Sequence, residues 1–361
     1  MNIVYWTACI DLHTIYVFDY LGKVHNVVVA YCQRSFRDYT NIDVTNCNLV
    51  KISSPSDITN FIDRTPDYIH VSNAFKVMRQ HKILKTALSK LVKRNYTLIS
   101  LFQEQYPYNG LLGHLRRVKW TWMYKYGLGR HHQLIGYCGE NAYRSLRLAS
   151  IPDKKLAEFI YSPWYQNSIP PIKTTKITFI MVGQLVPRKR VIETILALKQ
   201  LNDDFLFKII GEGPLKKRIN SIIRQDKRFR LLGSLPPDKV QEEYVASDTL
   251  ILSSAFDGWG CSVNEALSQG CRVIVSDSCG SSSLIKSNEN LGNVFKSDDW
   301  DQFTQIIKNY INAGSLNLSE KEYIQKWSVC IHPKALAEYL NALLYWKFKD
   351  GIKPQPPWHS N

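Results

Sequence analysis

The stretch at residues 253–277, SSAFDGWGCSVNEALSQGCRVIVSD, decides the fold of this chain. It follows a short apolar run at residues 249–252, which predicts a buried parallel strand. The amphipathic segment 262–269 predicts a helix that ends at Gly270, and residues 271–276 predict a second buried strand. An order of strand, glycine turn, helix and strand is typical of a doubly wound α/β sheet.

Two carboxylates and a helix N-terminus lie close together in this stretch. We expect the helix to begin near Ser262 and to direct its N–H groups and positive dipole end at a phosphate. Glu265 is expected in the first turn of the helix and Asp257 on the preceding loop. Carboxylates accept hydrogen bonds from hydroxyls, so the site suits a ligand with hydroxyls and phosphates, such as a nucleotide-sugar. The alternative is a helix N-terminus whose acids only offset the macrodipole.

The charge of the chain is high and unevenly placed. The 361 residues carry a formal net charge of +15, and residues 76–130 contain 12 Lys and Arg residues but one acid, Glu104. Such a charge attracts a polyanion, an anionic membrane surface or a phosphorylated substrate. No apolar run reaches the roughly 18 residues of a membrane-spanning helix. The eight cysteines are scattered, so we expect a cytosolic protein without structural zinc or disulfides.

Alternating strands and helices predict two α/β domains. Residues 1–165 are expected to form the first domain and residues 177–333 the second, joined by a polar linker at 166–176. Residues 334–361 are expected to form a C-terminal helix and tail that pack back on the first domain. In the first domain, the clearest helices are predicted at residues 77–94 and 140–149.

Four strand-to-helix turns of the second domain carry glycine or charged residues. The first contains Arg188 and Lys189, the second is GEGP at residues 211–214, the third contains Ser234, and the fourth is the opening stretch. In a parallel sheet such turns lie at one edge, so together they predict a binding crevice. A GEGP turn on its own also closes many α/β crossovers.

The segments MVGQLVPRKR, FKIIGEGP, RLLGSL, EEYVASDTLILSS, DGWGCSVNEALSQGCRVIVSD and NLGNVF, within residues 176–346, carry a family resemblance. This half of the chain resembles the nucleotide-sugar domain of GT-B retaining glycosyltransferases of family 4, the group 1 glycosyltransferases. The resemblance implies an α/β GT-B fold, in which two Rossmann-like, doubly wound domains face each other across a cleft. It also implies action in bacterial surface polysaccharide synthesis, such as that of O-antigen or capsule.

The resemblance also implies roles for individual residues. Glu265, the second acid of an E-x7-E motif, would hold the donor ribose, and Asp257, in place of the first acid, would bind sugar hydroxyls. Lys189 would neutralise the diphosphate, with Arg188 as the second cation, because Gln184 stands where the family usually has arginine. The candidate donor-binding residues are Gly183, Gln184, Gly211, Gly213, Ser234, Gly260, Cys261, Ser262, Val263 and Glu265.

Candidate acceptor residues fall in the first domain. His70, at the end of the sequence PDYIH, resembles an acceptor-side catalytic histidine of these enzymes, and a core histidine is the alternative. Glu104 is expected to orient an acceptor hydroxyl, or else to pair with the basic residues around it. The segment 114–126 interleaves basic and aromatic residues, which suits a membrane interface or a lipid diphosphate. A helix with aromatics packed in the core and bases outward explains it equally well.

These observations predict a retaining glycosyltransferase that uses a UDP- or GDP-linked sugar without a metal or other cofactor. The acceptor is expected to be a glycan or a lipid-linked oligosaccharide, met by a cytoplasmic protein that binds the inner face of the cell membrane. One alternative is a basic protein that binds membrane surfaces or polyanions, although no nucleic-acid-binding motif is present. Another is a different GT-B nucleotide-sugar enzyme, such as an epimerase or a phosphorylase.

Overall fold

The computed structural model describes residues 1–33, 42–74, 78, 81–105, 110–164, 170 and 174–359. The chain divides into two units. The first consists of Met1–Ser162 together with Ile331–Ser360, and the second of Pro163–Cys330. Most of the expected linker lies outside the described residues. None of the helices in the described part is both long enough and apolar enough to cross a membrane.

The first unit is built on a parallel sheet, which has seven strands among the described residues. Its strand order is β3-β2-β1-β4-β5-β6-β7, and every strand pair in it is parallel. The strands are β1 (Asn2–Cys9), β2 (Asn26–Gln33), β3 (Asn48–Lys51), β4 (Ile69–Ser72), β5 (Leu98–Gln103), β6 (Leu134–Tyr137) and β7 (Leu156–Glu158).

The helices of the first unit pack their apolar sides against this sheet. In the helix at Lys82–Lys93, the buried residues Leu84, Ala87, Leu88 and Leu91 recur at helical spacing. Of the longer helix predicted at 77–94, residues 77, 79 and 80 lie outside the described part of the chain. The helices are α1 (Ile15–Gly22), α2 (Pro55–Asp63), α3 (Lys82–Lys93), α4 (Gly110–Lys125), α5 (Gly139–Leu148) and, near the C-terminus, Pro333–Phe348.

The helix at Pro333–Phe348 belongs to the first unit although the second unit separates the two in sequence. It packs against α1, and His25 Nε2 lies 2.7 Å from Oδ1 of Asn341. Beyond the helix, the Trp358 side chain is buried and His359 Nε2 lies 2.7 Å from Oε2 of Glu158. The end of the chain therefore completes the core of the first unit.

The second unit is built on another parallel sheet, with six strands among the described residues in the order β10-β9-β8-β11-β12-β13. The strands are β8 (Thr178–Val182), β9 (Leu206–Ile210), β10 (Phe229–Gly233), β11 (Thr249–Leu252), β12 (Arg272–Ser276) and β13 (Gly292–Phe295). The helices are α6 (Val191–Lys199), α7 (Lys216–Ile223), α8 (Pro237–Val245), α9 (Cys261–Ser268), α10 (Ser282–Ser287), α11 (Trp300–Ala313) and α12 (Leu318–Ser328); the helix at Pro333–Phe348 in the first unit is α13. The strand order reverses between β8 and β11, and ligands of doubly wound folds bind at such a point.

Candidate functional site

The two turns that follow β8 and β11 meet at the reversal point of the second sheet. The N–H of Ala255 donates a 2.8 Å hydrogen bond to the carbonyl of Arg188, which joins the two turns through their backbones. The hydroxyl of Ser253 donates a 3.4 Å bond to the carbonyl of Lys189. Arg188 and Phe256 are 68 residues apart in sequence, yet the two turns that contain them are held side by side. The side chains of both turns lie at the carboxyl edge of the sheet.

A carboxylate and two cations converge at this edge. Lys189 Nζ forms an ion pair with Oδ2 of Asp257, and Arg188 Nη1 lies 3.6 Å from the same oxygen. The side chains of Lys189 and Asp257 are only 13% and 14% exposed, whereas that of Arg188 is 45% exposed. The pair is therefore partly shielded from water, and Arg188 brings a second positive charge from the solvent side.

Arg190, the next residue, has a different position. It adopts a left-handed backbone conformation with φ of 53° between a 3₁₀ turn and α6. Its guanidinium bonds the carbonyl of Ser297 and lies 2.6 Å from Asp298. Arg190 is consequently held by the loop that follows β13. Its charge is paired with Asp298 there, and Arg188 and Lys189 are the two cations that lie beside the Asp257 carboxylate.

The glycines of the first two turns pack against each other. A Cβ atom on Gly211 would lie 1.8 Å from the carbonyl oxygen of Gly183, and one on Gly213 would lie 2.5 Å from that of Leu185. Both positions have positive φ, 145° and 158°. Only glycine fits such contacts, so the main role of Gly211 and Gly213 is to let the turn after β9 approach the turn after β8. Gly183 itself lies under Lys189, whose Nζ would be 3.7 Å from a Cβ there.

Helix α9 begins one residue earlier than the sequence predicts, at Cys261. Gly260 occupies the N-cap with φ of 100° and supplies no capping side chain. A Cβ on Gly260 would lie 4.0 Å from Cγ of Asp257, which places that carboxylate beside the start of the helix. Because the helix starts at Cys261, Glu265 is its fifth residue, and the expectation that Glu265 lies in the first turn is wrong.

Glu265 is held by a residue that the sequence analysis does not single out. The buried Tyr244, on α8, donates a 3.1 Å hydrogen bond to Oε2 of Glu265. Burial and the neighbouring Glu265 charge raise the pKa of Tyr244 well above its ordinary value, so the phenol stays protonated as a donor. The preceding residue of α9, Asn264, accepts a 2.9 Å bond from Nε1 of the buried Trp259. This second bond ties the end of the turn that carries Asp257 to the start of α9.

The remaining candidates in this unit surround these groups. Gln184 and Ser234 are exposed, Cys261 and Ser262 are half-buried in the first turn of α9, and Val263 is buried in the core. Gly211 N–H donates a 2.8 Å bond to the carbonyl of Gly233, which ties the third turn to the second. All four predicted turns therefore lie at the same edge of the second sheet.

In the first unit, the surroundings of His70 support its role as a core residue. The side chain is fully buried; Nδ1 accepts a 3.1 Å bond from Nε1 of Trp6, and Nε2 lies 3.2 Å from the carbonyl of Thr65. Burial lowers the pKa of His70 to about 4, so the ring is neutral near pH 7. Both ring nitrogens thus have protein partners, which favours the alternative of a core histidine over a catalytic one. Glu104 is half-buried directly after β5, at the carboxyl edge of the first sheet.

Comparisons with known proteins relate the chain to carbohydrate enzymes. Residues 165–327 match the family described as Glycosyl transferases group 1. The chain is 28% identical over 189 residues to the UDP-Gal:alpha-D-GlcNAc-diphosphoundecaprenol alpha-1,3-galactosyltransferase of Escherichia coli, a match covering 49% of this chain and 48% of that protein. It is 27% identical over 153 residues to the lipopolysaccharide 1,6-galactosyltransferase of Escherichia coli K12, covering 40% and 42%. The chain thus spans less than half the length of these curated relatives.

Solved structures resemble the chain over nearly its whole length. The apo form of the lipopolysaccharide outer core galactosyltransferase WaaB has a TM-score of 0.69 at 15% identity, covering 96% of this chain and 100% of WaaB. Anabaena HepE in complex with UDP has a TM-score of 0.74 at 13% identity, again covering 96% and 100%. At such identities the likeness concerns the fold alone, and the predicted α/β class and GT-B fold are confirmed.

Proposed function

We propose that the chain is a glycosyltransferase that moves a sugar from a nucleoside diphosphate sugar to a hydroxyl of a glycan. The observation that carries this proposal is the convergence of Lys189, Arg188 and Asp257 beside the start of α9, at the reversal point of the second sheet. Cations and a helix N-terminus bind phosphates, and carboxylates bind hydroxyls. The match to Glycosyl transferases group 1 over residues 165–327 supports the same activity.

In this proposal each group has a definite part of the donor to bind. Lys189, Arg188 and the first N–H groups of α9 bind the diphosphate. Glu265, oriented by Tyr244, accepts hydrogen bonds from the ribose hydroxyls. Asp257 binds the transferred sugar, and its ion pair with Lys189 keeps sugar and phosphate contacts adjacent. UDP is the favoured nucleotide, because the first curated relative is named for UDP-Gal and the HepE structure contains UDP.

The chemical step follows from where charge develops. The bond between the sugar C1 and the diphosphate oxygen breaks, and the oxygen keeps the electron pair. Lys189 and Arg188 stabilise the added negative charge, so the mechanism that we propose requires no metal ion. The acceptor hydroxyl attacks C1 from the face that the diphosphate leaves, with retention of configuration. Its proton passes to an oxygen of the departing phosphate.

The acceptor is proposed to be lipid-linked and to be met at a membrane surface. On α4, the side chains of Leu111, Leu115, Val118 and Trp122 are 76%, 56%, 55% and 61% exposed. Their spacing of four, three and four residues places them on one side of the helix, and Tyr126, 59% exposed, continues the line beyond its end. We call these five residues the α4 stripe.

Basic side chains accompany the α4 stripe. Arg116, Lys119 and Lys125 lie on the same helix and are exposed, and α4 carries no Asp or Glu. An exposed apolar line beside positive charge is typical of a helix that rests in the headgroup region of an anionic bilayer. The other aromatics of the segment face inward: Tyr124 is buried and donates a 2.6 Å bond to Gln103. We therefore propose peripheral attachment to the inner face of the cell membrane through α4.

The pathway that we propose is the synthesis of a bacterial surface polysaccharide such as O-antigen or capsule. Both curated relatives described above are named for transfer to a diphosphoundecaprenol-linked sugar or to lipopolysaccharide. A lipid-linked acceptor of that kind carries its sugar at a membrane surface, which agrees with an enzyme that attaches through the α4 stripe.

A thermal-shift screen followed by product analysis tests the proposed function. The protein is heated with UDP, UDP-galactose, UDP-glucose, UDP-N-acetylglucosamine and GDP-mannose, each at saturating concentration. A ligand that binds the folded state at 100 times its Kd stabilises it by about 2.7 kcal/mol, so the matching donor raises the Tm by several degrees. The best donor is then incubated with a lipid-diphosphate-linked sugar, and the product is weighed by mass spectrometry. A Tm that changes with salt but with none of the nucleotides would instead support a polyanion-binding protein.

A further inference from the structure

A second cleft, of about 470 Å³, opens in the second unit on the opposite edge of its sheet. Arg272, the first residue of β12, and Asn293, near the start of β13, line this cleft with Tyr310 of α11. These residues lie at the amino ends of their strands, whereas Gly183 and Asp257 follow carboxyl ends. A strand of five residues spans roughly 16 Å, so the cleft is separate from the donor site.

The guanidinium of Arg272 lies over an aromatic ring in this cleft. Among the described residues its Nε is buried without a hydrogen-bond partner, and its carbon Cζ lies 4.2 Å above the centre of the Tyr310 ring. The Tyr310 hydroxyl is itself held, because it donates a 2.7 Å bond to Oδ1 of Asn293. A guanidinium offers five N–H donors, and burying one of them, here Nε, without an acceptor costs free energy. Arg272 is thus oriented by a fixed ring and ready for ligand oxygens.

The other residues that line the cleft indicate what kind of ligand could supply oxygens to Arg272. Glu289 and Glu320 carry negative charge at the cleft, which opposes a phosphate or another polyanion. Asn290 adds an exposed amide, and Tyr323 has a ring 44% exposed. Hydroxyl groups donate to carboxylates and accept from guanidinium and amide, while the apolar face of a sugar ring packs on an aromatic side chain. A volume of this size falls within the roughly 300–1,000 Å³ of small-ligand sites.

We propose that the cleft between Arg272, Tyr310 and Tyr323 is a second binding site of this chain, and that it takes a neutral oligosaccharide. The guanidinium of Arg272 binds sugar hydroxyl oxygens, the carboxylates accept from other hydroxyls, and Tyr323 covers one face of a ring. The site is distinct from the donor site and does not depend on transfer. For an enzyme of the proposed function, the ligand would be a segment of the glycan being built.

Saturation-transfer-difference NMR on the full chain tests this site, with lactose and maltotriose as neutral probes and glucose 6-phosphate as the anionic probe. UDP is kept in excess so that the donor site is occupied. We expect a neutral probe to receive saturation, and Arg272→Gln to weaken its binding at least about tenfold, because charge-assisted bonds are lost. Arg230→Gln, which removes an exposed arginine of β10, is the matched control and should bind as the wild type does.

Tyr323→Ala provides a second variant, at a side chain that is 44% exposed. We expect it to weaken binding of the same probe while Tm and the thermal shift with UDP stay at wild-type values. The proposal is overturned if neither neutral probe receives saturation, if only glucose 6-phosphate does, or if Arg272→Gln and Arg230→Gln bind the neutral probe equally well. Because UDP binding is recorded separately, failure here is distinguishable from failure of the proposed transferase function.

Discussion

Tyr244 donates a 3.1 Å hydrogen bond to Oε2 of Glu265, and this bond joins two consecutive helices, α8 and α9. The tyrosine is fully buried, and burial together with the Glu265 charge keeps its pKa well above its ordinary value. Near pH 7 the Tyr244 phenol is therefore a hydrogen-bond donor that holds one carboxylate oxygen of Glu265. Tyr244 acts as a positioning residue for the group that we propose binds the ribose.

Replacing Tyr244 by phenylalanine should raise the donor KM about tenfold, because a hydrogen bond to a charged group contributes about 1.5–3 kcal/mol. The kcat should stay nearly unchanged, because the ribose is bound equally in the ground state and the transition state. Steady-state kinetics over a range of donor concentrations measures both constants. Tyr310→Phe is the matched control, since it also removes one hydroxyl from a bonded tyrosine of the second unit. If both substitutions change the donor KM equally, Tyr244 has no special relation to the donor.

Glu265→Ala should lower kcat/KM by about 30- to 1,000-fold, which corresponds to the loss of about 2–4 kcal/mol of charge-assisted contact. The substitution also removes the acceptor of the buried Tyr244 hydroxyl, which costs about 1–3 kcal/mol, so we expect the Tm to fall by a few degrees while the protein stays folded. Transfer assays and thermal melts of the same preparation separate the two effects. An alanine variant with near wild-type kcat/KM would remove Glu265 from the donor site.

Lys189→Ala should lower kcat by more than it raises the donor KM, because the diphosphate gains charge as the sugar leaves. The substitution also removes the ion pair between Lys189 and Asp257, so the double variant Lys189→Ala, Asp257→Asn should lose less than the two single losses combined. Lys199→Ala, at an exposed position of α6, is the control. A change confined to KM would make Lys189 an ordinary binding residue.

The α4 stripe should make membrane binding depend on both apolar and basic side chains. We expect Trp122→Ser to weaken co-sedimentation with anionic vesicles. Adding Arg116→Gln and Lys119→Gln should weaken it further at low salt, because each basic residue contributes about 1 kcal/mol to the binding free energy. Leu196→Ser, which removes a leucine 48% exposed in the second unit, should have no effect. Equal binding by all variants, or no binding to anionic vesicles at low salt, contradicts attachment through α4.

Acid should destabilise the first unit selectively. Burial lowers the pKa of three of its histidines, His70, His132 and His332, to about 4, and these outnumber His359, whose pKa the hydrogen bond to Glu158 raises. In the unfolded chain each has a pKa of about 6.5, so between about pH 6.5 and about pH 4 the unfolded state binds more protons. The free energy of unfolding should therefore fall as the pH falls through this window. Urea titrations above and below it measure the loss.

His70→Gln provides the check on this assignment, because glutamine also donates and accepts hydrogen bonds but does not titrate. We expect its stability to depend less steeply on pH than that of the wild type, while His114→Gln, at an exposed position of α4, keeps the wild-type slope. Identical slopes for all three proteins would show that His70 does not contribute to acid lability.

The second unit follows from local sequence patterns to within about one residue at most element ends. The apolar run 249–252 became β11 with the predicted bounds, and the helix predicted at 262–269 became α9 at Cys261–Ser268. Continuous apolar runs and a glycine after the helix end are local signals that tertiary structure did not override. The four predicted turns accordingly lie at one edge of the sheet.

The first unit was less predictable because tertiary contacts decide more of it. Helix α1, IYVFDYLG, is apolar on nearly every side, so its sequence has no helical period to delimit it. Its one acid, Asp19, is buried against the N–H groups of Thr45 and Asn46, which lie 26 and 27 residues away. In the same way, no local pattern in EEYVASD distinguishes Tyr244 from any other core tyrosine, because its partner Glu265 lies 21 residues further on.

The return of α13 to the first unit sets the order in which the chain can finish folding. Four leucines of α13, namely Leu336, Leu340, Leu343 and Leu344, are buried, and the helix packs against α1. During synthesis, the ribosome must make the whole second unit before these leucines exist. The nascent first unit therefore lacks these leucines, and the surface that α13 covers stays open, until residues 163–330 have been synthesised. A ribosome that stops before Pro333 would thus release a chain whose first unit lacks α13.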